Sequence, residues 1–398
     1  WIGWGYQISA VGFGKFYEKY WCDYMPGYLY VLWALDNIHN AVPGIPTDIL
    51  FKLPANLSDL GIAIVIFYSL KLITNPKNAM IASLVYFFNP ASLSNSTFWG
   101  QVDSVHAFPI LLSVYFGLRE KFVLSGLFAA LAFMIKPQSI AIFPLIGFLA
   151  LLPVIRGGKK FDIRSFLPSV KIAITIFVTS IIITLPFIWG KIDSLSYLFV
   201  GPIDLIRERF NETYDQYKYT SLNAFNFWGA AALWESDEIK ILGISYKTIG
   251  IVIFGTVYAV IMGLLIRFVT YSRNKESKDY AYCVFETITL ILFTLFLFVT
   301  RAHERHLLPT IVFFTLITFR TRIFWYFYAI VSGVYVLNMT YSFIQLTTSY
   351  QGIHVKYAAY FITGLFILYL SAYIVLFLNF IMNTVKYRQL YDANISQT

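Results

Sequence analysis

Residues 122–160 read FVLSGLFAALAFMIKPQSIAIFPLIGFLALLPVIRGGKK, and their arrangement sets the topology of the whole chain. Two apolar runs stand on either side of Lys136-Pro137-Gln138, and a basic loop follows at residues 156–160. A single helix through both runs would carry Lys136 into the membrane interior, which is costly, and would include Pro137, which breaks helices. It would also place strongly basic loops on both sides of the bilayer. We therefore predict two short helices that meet near one membrane face.

The composition is that of a membrane protein. Of the 398 residues, 58% are hydrophobic and only 13% are charged. A soluble protein of this size cannot bury so much apolar surface. The net charge of +9 does not indicate nucleic-acid binding, because the Lys and Arg residues lie in short loops between apolar runs, as on the inner side of a membrane. The sequence therefore predicts an all-α polytopic membrane protein.

The basic loops also predict the number of membrane crossings. A spanning helix needs about 20 apolar residues. If eleven apolar runs, some of them shorter than this, each cross the membrane, all the basic loops lie on its inner side. The predicted spans are residues 53–72, 79–93, 105–118, 122–135, 139–155, 170–189, 248–270, 280–300, 307–319, 323–344 and 357–382.

These spans divide the chain into four parts. Residues 1–46 are predicted to form an outer segment with amphipathic helices on the membrane surface, because the apolar run at 27–35 is too short to cross. Residues 47–189 carry spans, 190–246 form a large outer loop, and 247–398 carry the remaining spans and an inner tail. We expect a further span before Trp1.

Five polar clusters fall at the predicted outer ends of the spans. Ionisable residues at a membrane edge are functional candidates by default, and their gathering at one face predicts an active site rather than a pore. The clusters are residues 23–28, 98–104, 136–138, 221–229 and 301–306.

The cluster Arg301-Ala302-His303-Glu304-Arg305-His306 is the densest, and its cations suit the binding of a phosphate. Lys136 is either a second phosphate partner or a lysine that extends to the membrane interface. Asp103 either caps a helix or belongs to the site, and His106 shares its helix face.

Further candidates have similar alternatives. Asp23, with Tyr24 and Tyr28, is either a helix start with interfacial tyrosines or a substrate-binding group. The same choice holds for the remaining polar and aromatic candidates, which are Trp99, Gln101, Gln138, Asn223, Asn226 and Trp228. The chain has no Asp-x-Asp motif, no phosphate-binding glycine loop and no nucleophile elbow, so we expect neither a metal nor another cofactor.

Taken in order, the motifs resemble those of the GT-C superfamily of membrane glycosyltransferases. They are most similar to prokaryotic relatives of the mannosyltransferase that adds the second mannose of GPI anchors. The similar positions are Gly12, Gly14, Phe16, Tyr17, residues 23–30, 52–55, Asp59, residues 89–90, 99–104, 136–138, 223–228 and 303–305. Met25 and His306 depart from the pattern.

The resemblance implies a GT-C-type helical bundle and an inverting transfer of mannose or another hexose from a polyprenyl-phosphate donor. The acceptor would be a hydroxyl of a glycolipid, a lipid-linked glycan or a protein. It implies an active site on the outer face of a prokaryotic plasma membrane, or in the ER lumen of a eukaryote. The family's general-base Asp would precede Trp1.

Under this interpretation the candidates take three roles. Asp103, His303 and Glu304 are candidate catalytic residues, and Lys136, Arg301 and Arg305 would bind the donor phosphate. The other candidates named above would bind substrate. Two rivals remain: a lipid or glycolipid flippase, whose site would lie nearer mid-membrane, and a non-catalytic subunit with a GT-C fold.

Overall fold

A computed structural model describes residues 1–156, 163–272, 277–349 and 355–395. The chain is an all-α polytopic membrane protein, and among these residues only short two-stranded β pairings accompany the helices. The helices before the large loop are α1 (Ile2–Val11), α2 (Phe13–Lys19), α3 (Pro26–Ala41), α4 (Thr47–Lys71), α5 (Pro76–Phe87), α6 (Pro90–Leu93), α7 (Asp103–Leu118), α8 (Phe122–Ile135), α9 (Phe143–Arg156) and α10 (Leu167–Ile188). The later ones are α11 (Tyr197–Asp215), α12 (Phe227–Ala232), α13 (Tyr246–Tyr271), α14 (Ser277–Phe298), α15 (Leu308–Ile317), α16 (Arg322–Thr347) and α17 (Val355–Ile395).

A helix stands at each of the eleven predicted spans. Six helical segments of the described chain are long and apolar enough to cross a membrane: Thr47–Lys71, Ile163–Lys191, Tyr246–Tyr271, Lys278–Phe298, Arg322–Thr347 and Tyr357–Val385. The helices α5, α7, α8, α9 and α15 are shorter, and α15 is buried along its whole length. The count of eleven membrane crossings stays a prediction.

Two predicted boundaries differ from the structure. The run at 79–93 is not one helix, because α5 ends at Phe87 and Asn89 caps a new turn that begins at Pro90. The last helix, α17, continues past the predicted end at 382 to Ile395. The basic residues 157–160 lie outside the described residues.

The helix break at Lys136 is present as predicted. Lys136 has an extended backbone (φ −140°, ψ 121°), and Pro137 starts a 3₁₀ helix, Pro137–Ile142. α3 packs against the end of α8 at this point. A Cβ on Gly27 would lie 2.5 Å from the carbonyl oxygen of Met134, so only glycine permits the close approach of α3. This contact brings the start of α3 next to Lys136.

A buried polar network fixes the start of α7. The Asp59 carboxylate, on α4, accepts hydrogen bonds from Tyr86 Oη (2.7 Å) and Ser104 Oγ (2.6 Å). Ser104 Oγ also lies 2.8 Å from Ser96 Oγ, in the π-helical turn Ser94–Trp99. Buried polar groups need such partners, and this network holds the neighbouring Asp103 in place.

The large loop is joined to the segment that follows α14. Strand β1 (Ser221–Leu222) pairs in parallel with β4 (Ala302–His303), while β2 (Lys240–Ile241) and β3 (Ile244–Ser245) form a small hairpin. α11 and β1 therefore lie next to residues 301–306 despite their separation in sequence.

Candidate functional site

Three of the five polar clusters, at residues 23–28, 136–138 and 301–306, contribute to the lining of a cavity of about 350 Å³. The polar lining residues include Asp23, Gln138, Lys136, Gln216, Arg301, His303, Arg305 and His306. The apolar lining residues include Ile135, Ile140, Ala141, Phe254, Leu295, Phe296 and Val299. A further part of the lining comes from α11 and the residues after it: Phe210, Thr213, Tyr214 and Tyr217.

Four charged residues form what we call the charge cluster: Asp103, Lys136, Glu304 and Arg305. Lys136 Nζ lies 2.5 Å from Asp103 Oδ1, and Arg305 Nε lies 3.8 Å from Asp103 Oδ2. Arg305 Nη1 donates to Glu304 Oε1 at 3.0 Å. Lys136 and Arg305 line the cavity, whereas Asp103 (0% exposed) and Glu304 (2%) lie behind them. Each cation at the cavity surface therefore has its own buried counter-ion.

Burial shifts the pKa values of two groups in the charge cluster, Lys136 and Glu304. It lowers the pKa of Lys136, an effect that the neighbouring Asp103 opposes. Burial raises the pKa of Glu304, and the Arg305 charge opposes that shift. In each case the opposite charge next to the group favours the ionised form. The geometry is that of two paired ions rather than of free acids and bases.

The two histidines cap each other. The backbone N–H of His303 donates to Nδ1 of His306 (3.3 Å), and the backbone N–H of His306 donates to the imidazole of His303. A ring nitrogen that accepts a hydrogen bond carries no proton, so both rings are neutral and each keeps one ring N–H. Burial, with the charges of Arg305 and Lys136, also lowers the pKa of His303. Both side chains line the cavity, where each can donate a hydrogen bond.

Asp23 is the sole carboxylate among the described residues that line the cavity. Its backbone carbonyl accepts from Thr213 Oγ1, and Arg209 Nη1 donates to the adjacent Cys22 carbonyl at 3.3 Å. The Gln216 side chain acts to lower the pKa of Asp23. α11 thus holds Asp23 in place. Burial raises the pKa of Asp23, and the Arg305 and Lys136 charges oppose that shift only in part.

We expect Asp23→Asn to lower the catalytic rate by about 10- to 100-fold, because a hydrogen bond to a carboxylate contributes about 1.5–3 kcal/mol. The ionised form is the acceptor. Because the pKa is raised, wild-type kcat/KM should fall with decreasing pH at values above the usual Asp range near about 3.9. Asp23→Asn should remove this acid limb. An acid limb that persists unchanged in Asp23→Asn would contradict the assignment.

Arg301 is already engaged by the loop. Its guanidinium makes two hydrogen bonds to Asp237 (Nε–Oδ2 2.6 Å and Nη2–Oδ1 3.1 Å), and Nη1 donates to Asp215 at 3.1 Å and to the Tyr214 carbonyl. It stacks over the Tyr214 ring at 4.3 Å, and its φ of +65° is unusual for a residue with a side chain. Arg301 lines the cavity, but its charge is compensated by the loop.

The structure places the other candidates as follows. Tyr24 and Gln138 line the cavity, whereas Tyr28, Trp99, Gln101 and His106 are not among its lining residues. Trp99 packs edge-on against Phe343 at 5.7 Å. His106 Nε2 lies 2.6 Å from Ser139 Oγ, which in turn donates to the Lys136 carbonyl, so His106 supports the helix break from behind.

The cluster at residues 221–229 makes bonds within the fold. Asn223 Oδ1 accepts from Trp234 Nε1 at 2.8 Å, and Trp228 Nε1 donates to the Phe298 carbonyl at 2.7 Å. Asn226 caps α12 by accepting from Gly229 N (2.8 Å). These polar groups join the loop to the ends of α14 and α16, and they do not line the cavity.

We expect Asn226→Ala to reduce the free energy of unfolding by about 1 kcal/mol through loss of the helix cap. Because the side chain lies away from the cavity, the KM values for donor and acceptor should stay unchanged. Thermal unfolding and initial rates in the same detergent would measure both. Asn226→Ser, which keeps a capping oxygen, is the matched control. A KM that rises in both variants would favour a sugar-binding role instead.

No sequence motif marks several of the residues that line the cavity. Phe210, Thr213, Tyr214, Gln216 and Tyr217 come from α11 and the residues that follow it. Their segment reads as an ordinary amphipathic helix of an outer loop, and none of them belongs to a recognisable motif. Asp237, the buried partner of Arg301, stands between Glu235 and Glu238, and nothing in the sequence distinguishes it from these two acidic neighbours.

Comparison with known proteins identifies the family. The model of glycosyltransferase family 87 matches residues 41–297, which is more than half of the chain and includes α4 through α14. No curated protein sequence shows significant similarity to the chain. The matched region supplies Lys136, Asp103, the apolar cavity wall and the loop that carries α11. The chain therefore belongs to glycosyltransferase family 87.

Proposed function

We propose that this glycosyltransferase moves a hexose, such as mannose, from a polyprenyl-phosphate donor to a hydroxyl acceptor with inversion at the anomeric carbon. Family membership supports glycosyl transfer. The observation that supports the donor class is the presence of both cationic and apolar side chains in the lining of one cavity. A lipid-linked sugar phosphate has an anionic part and an apolar part to match.

The polar lining suits the leaving phosphate. Lys136 and Arg305 would bind its oxygens, and His303 and His306 would each donate a ring N–H. Preorganised donors and cations of this kind stabilise the charge that develops on a leaving group. Asp103 and Glu304 would keep the two cations in position. Because these groups supply the positive charge, the proposal includes no metal.

The apolar lining suits the first units of the polyprenyl chain. The apolar lining includes Phe254 on α13, Leu295 and Phe296 on α14, and Val299 directly after α14. Ile140 and Ala141, in the 3₁₀ helix that begins at Pro137, also belong to it. α13 is the most exposed of the six long apolar helices, as expected for a helix next to lipid. The donor would therefore enter from the bilayer with its headgroup at the charge cluster.

In the transfer step, the acceptor oxygen forms a bond to the anomeric carbon while the bond to the phosphate oxygen breaks. The electron pair leaves with the polyprenyl phosphate, and a carboxylate takes the hydroxyl proton. Asp23 would orient a sugar hydroxyl. The acceptor would be a glycolipid, a lipid-linked glycan or a protein at the outer membrane face.

The test uses the full-length protein in nanodiscs with radiolabelled polyprenyl-phosphate mannose and a membrane glycolipid extract. We expect transfer that falls by about 10²–10³-fold in Arg305→Ala. Arg119→Ala, at an exposed position at the far end of α7, should leave transfer unchanged and serves as the matched control. Donor binding without transfer from several polyprenyl-phosphate sugars would instead indicate a flippase or a non-catalytic subunit.

A further inference from the structure

A run of aromatic rings leads from the surface of the first segment to the cavity. Trp21 lies 6.3 Å from Trp4 between ring centroids, Trp4 lies 5.6 Å from Tyr24, and Trp1 lies 4.9 Å from Tyr24. Trp21 is 61% exposed, whereas Tyr24 lines the cavity. We call Trp1, Trp4 and Trp21 the tryptophan ridge.

The inner end of the run reaches the reaction centre. Among the charged groups that act on the Tyr24 hydroxyl, Arg305 has the largest effect and Asp103 the next. Both belong to the charge cluster. A molecule that lies along the ridge would therefore point one end at the place where we propose the donor phosphate binds.

Two of the three indole N–H groups of the ridge are already used. Trp4 Nε1 donates to the Trp21 carbonyl at 3.2 Å, and Trp1 Nε1 donates to the Gly100 carbonyl at 3.1 Å. Tyr17 Oη donates to the Tyr24 carbonyl at 2.7 Å. With these bonds made inside the protein, the indoles of Trp1 and Trp4 contribute ring faces rather than hydrogen bonds. Rigid aromatic side chains bind with a low cost in conformational entropy.

The chemistry of the surface favours a sugar over a lipid tail. The face of an indole ring is electron-rich and attracts C–H groups, which a pyranose presents on one face while its hydroxyls remain in water. Exposed Glu18 and Lys19 precede Trp21, so that end of the ridge is hydrated. A sugar chain can occupy a surface that is apolar at its centre and wet at its margin.

We propose that the tryptophan ridge is an acceptor subsite that binds the sugar residues behind the one that is glycosylated. The acceptor would then be a carbohydrate of at least two residues. This inference rests on the proposed function, and it adds the acceptor class and the residues that select it.

The experiment compares octyl mannoside with octyl mannobioside as acceptors for the full-length protein in nanodiscs. With wild type we expect the disaccharide to have a KM about tenfold lower, equivalent to about 1.4 kcal/mol from one stacked sugar. In Trp21→Ala this advantage should vanish, with kcat and donor KM unchanged. Trp33→Ala, on α3 and also partly exposed, is the matched control and should retain the lower KM for the disaccharide. Saturation-transfer NMR of the two glycosides, without donor, measures binding separately from transfer.

The outcomes are distinguishable. Loss of disaccharide binding in Trp21→Ala but not Trp33→Ala supports the subsite, even if the donor class is wrong. Equal binding of both glycosides to wild type would overturn the proposed subsite. So would a Trp21→Ala variant in which the KM for the disaccharide stays as far below that for the monosaccharide as in wild type. If Trp21→Ala only weakens association with the bilayer, the ridge is a membrane anchor and the proposal is wrong.

Discussion

Lys136→Met is expected to reduce transfer by about 10²–10³-fold, the usual effect of removing one group that stabilises a leaving-group charge. It should also reduce the free energy of unfolding by about 3 kcal/mol. The second effect arises because Asp103 is fully buried and its contact with Lys136 is the shorter of its two ion pairs. Removal of the lysine leaves this carboxylate with Arg305 alone at 3.8 Å.

A double variant separates the two effects. Lys136→Met combined with Asp103→Leu removes the buried charge as well, and replacement of a whole ion pair by apolar groups often restores stability. We expect the double variant to unfold at nearly the wild-type temperature in detergent and to remain inactive. Recovery of transfer together with stability would show that Lys136 acts only through folding, and the donor-phosphate assignment would then fail.

Arg301→Leu is expected to loosen the large outer loop. Asp237 is 0% exposed and makes two hydrogen bonds to Arg301, so the variant strands a buried carboxylate at a cost of about 3–5 kcal/mol. Because Arg301 also binds the backbone at Tyr214, α11 would lose its tie to the segment before β4. Limited proteolysis should then cut within residues 190–245 faster than it does in wild type.

The control again removes both charges. Arg301→Leu with Asp237→Leu should restore protease resistance, and we expect the restored protein to bind polyprenyl phosphate with an affinity close to wild type. The sequence placed Arg301 among the phosphate ligands. If the refolded double variant loses polyprenyl-phosphate binding while Arg119→Ala retains it, the original interpretation is correct and the structural role is secondary.

The helices were predictable because their signals are local. Apolar runs, basic loops and Pro137 each act on neighbouring residues, and the structure has a helix at each predicted span and a break at Lys136. The division of the run at 79–93 was missed because a Pro preceded by Asn also serves as a helix start. The extension of α17 was missed since polar residues can continue a helix beyond the apolar part.

The site was predictable only where its residues stand in motifs. Lys136 and Arg305 do meet at one cavity, as their positions at the ends of helices suggested. The ion pairs, however, could not be predicted. No local feature of the sequence indicates that Arg301 pairs with Asp237 or that Lys136 pairs with Asp103. For the same reason, Asn226 could be read as a sugar ligand although it caps a helix.

The pairing within the charge cluster bears on what happens between turnovers. Two cations in a poorly solvated cavity would be costly to leave alone once the spent carrier lipid departs. Asp103 and Glu304 make the vacated cavity electrically neutral at this point, so the departure of the carrier does not strand a charge. We therefore expect the rate of carrier release to depend little on ionic strength, since buried pairs are little screened by salt.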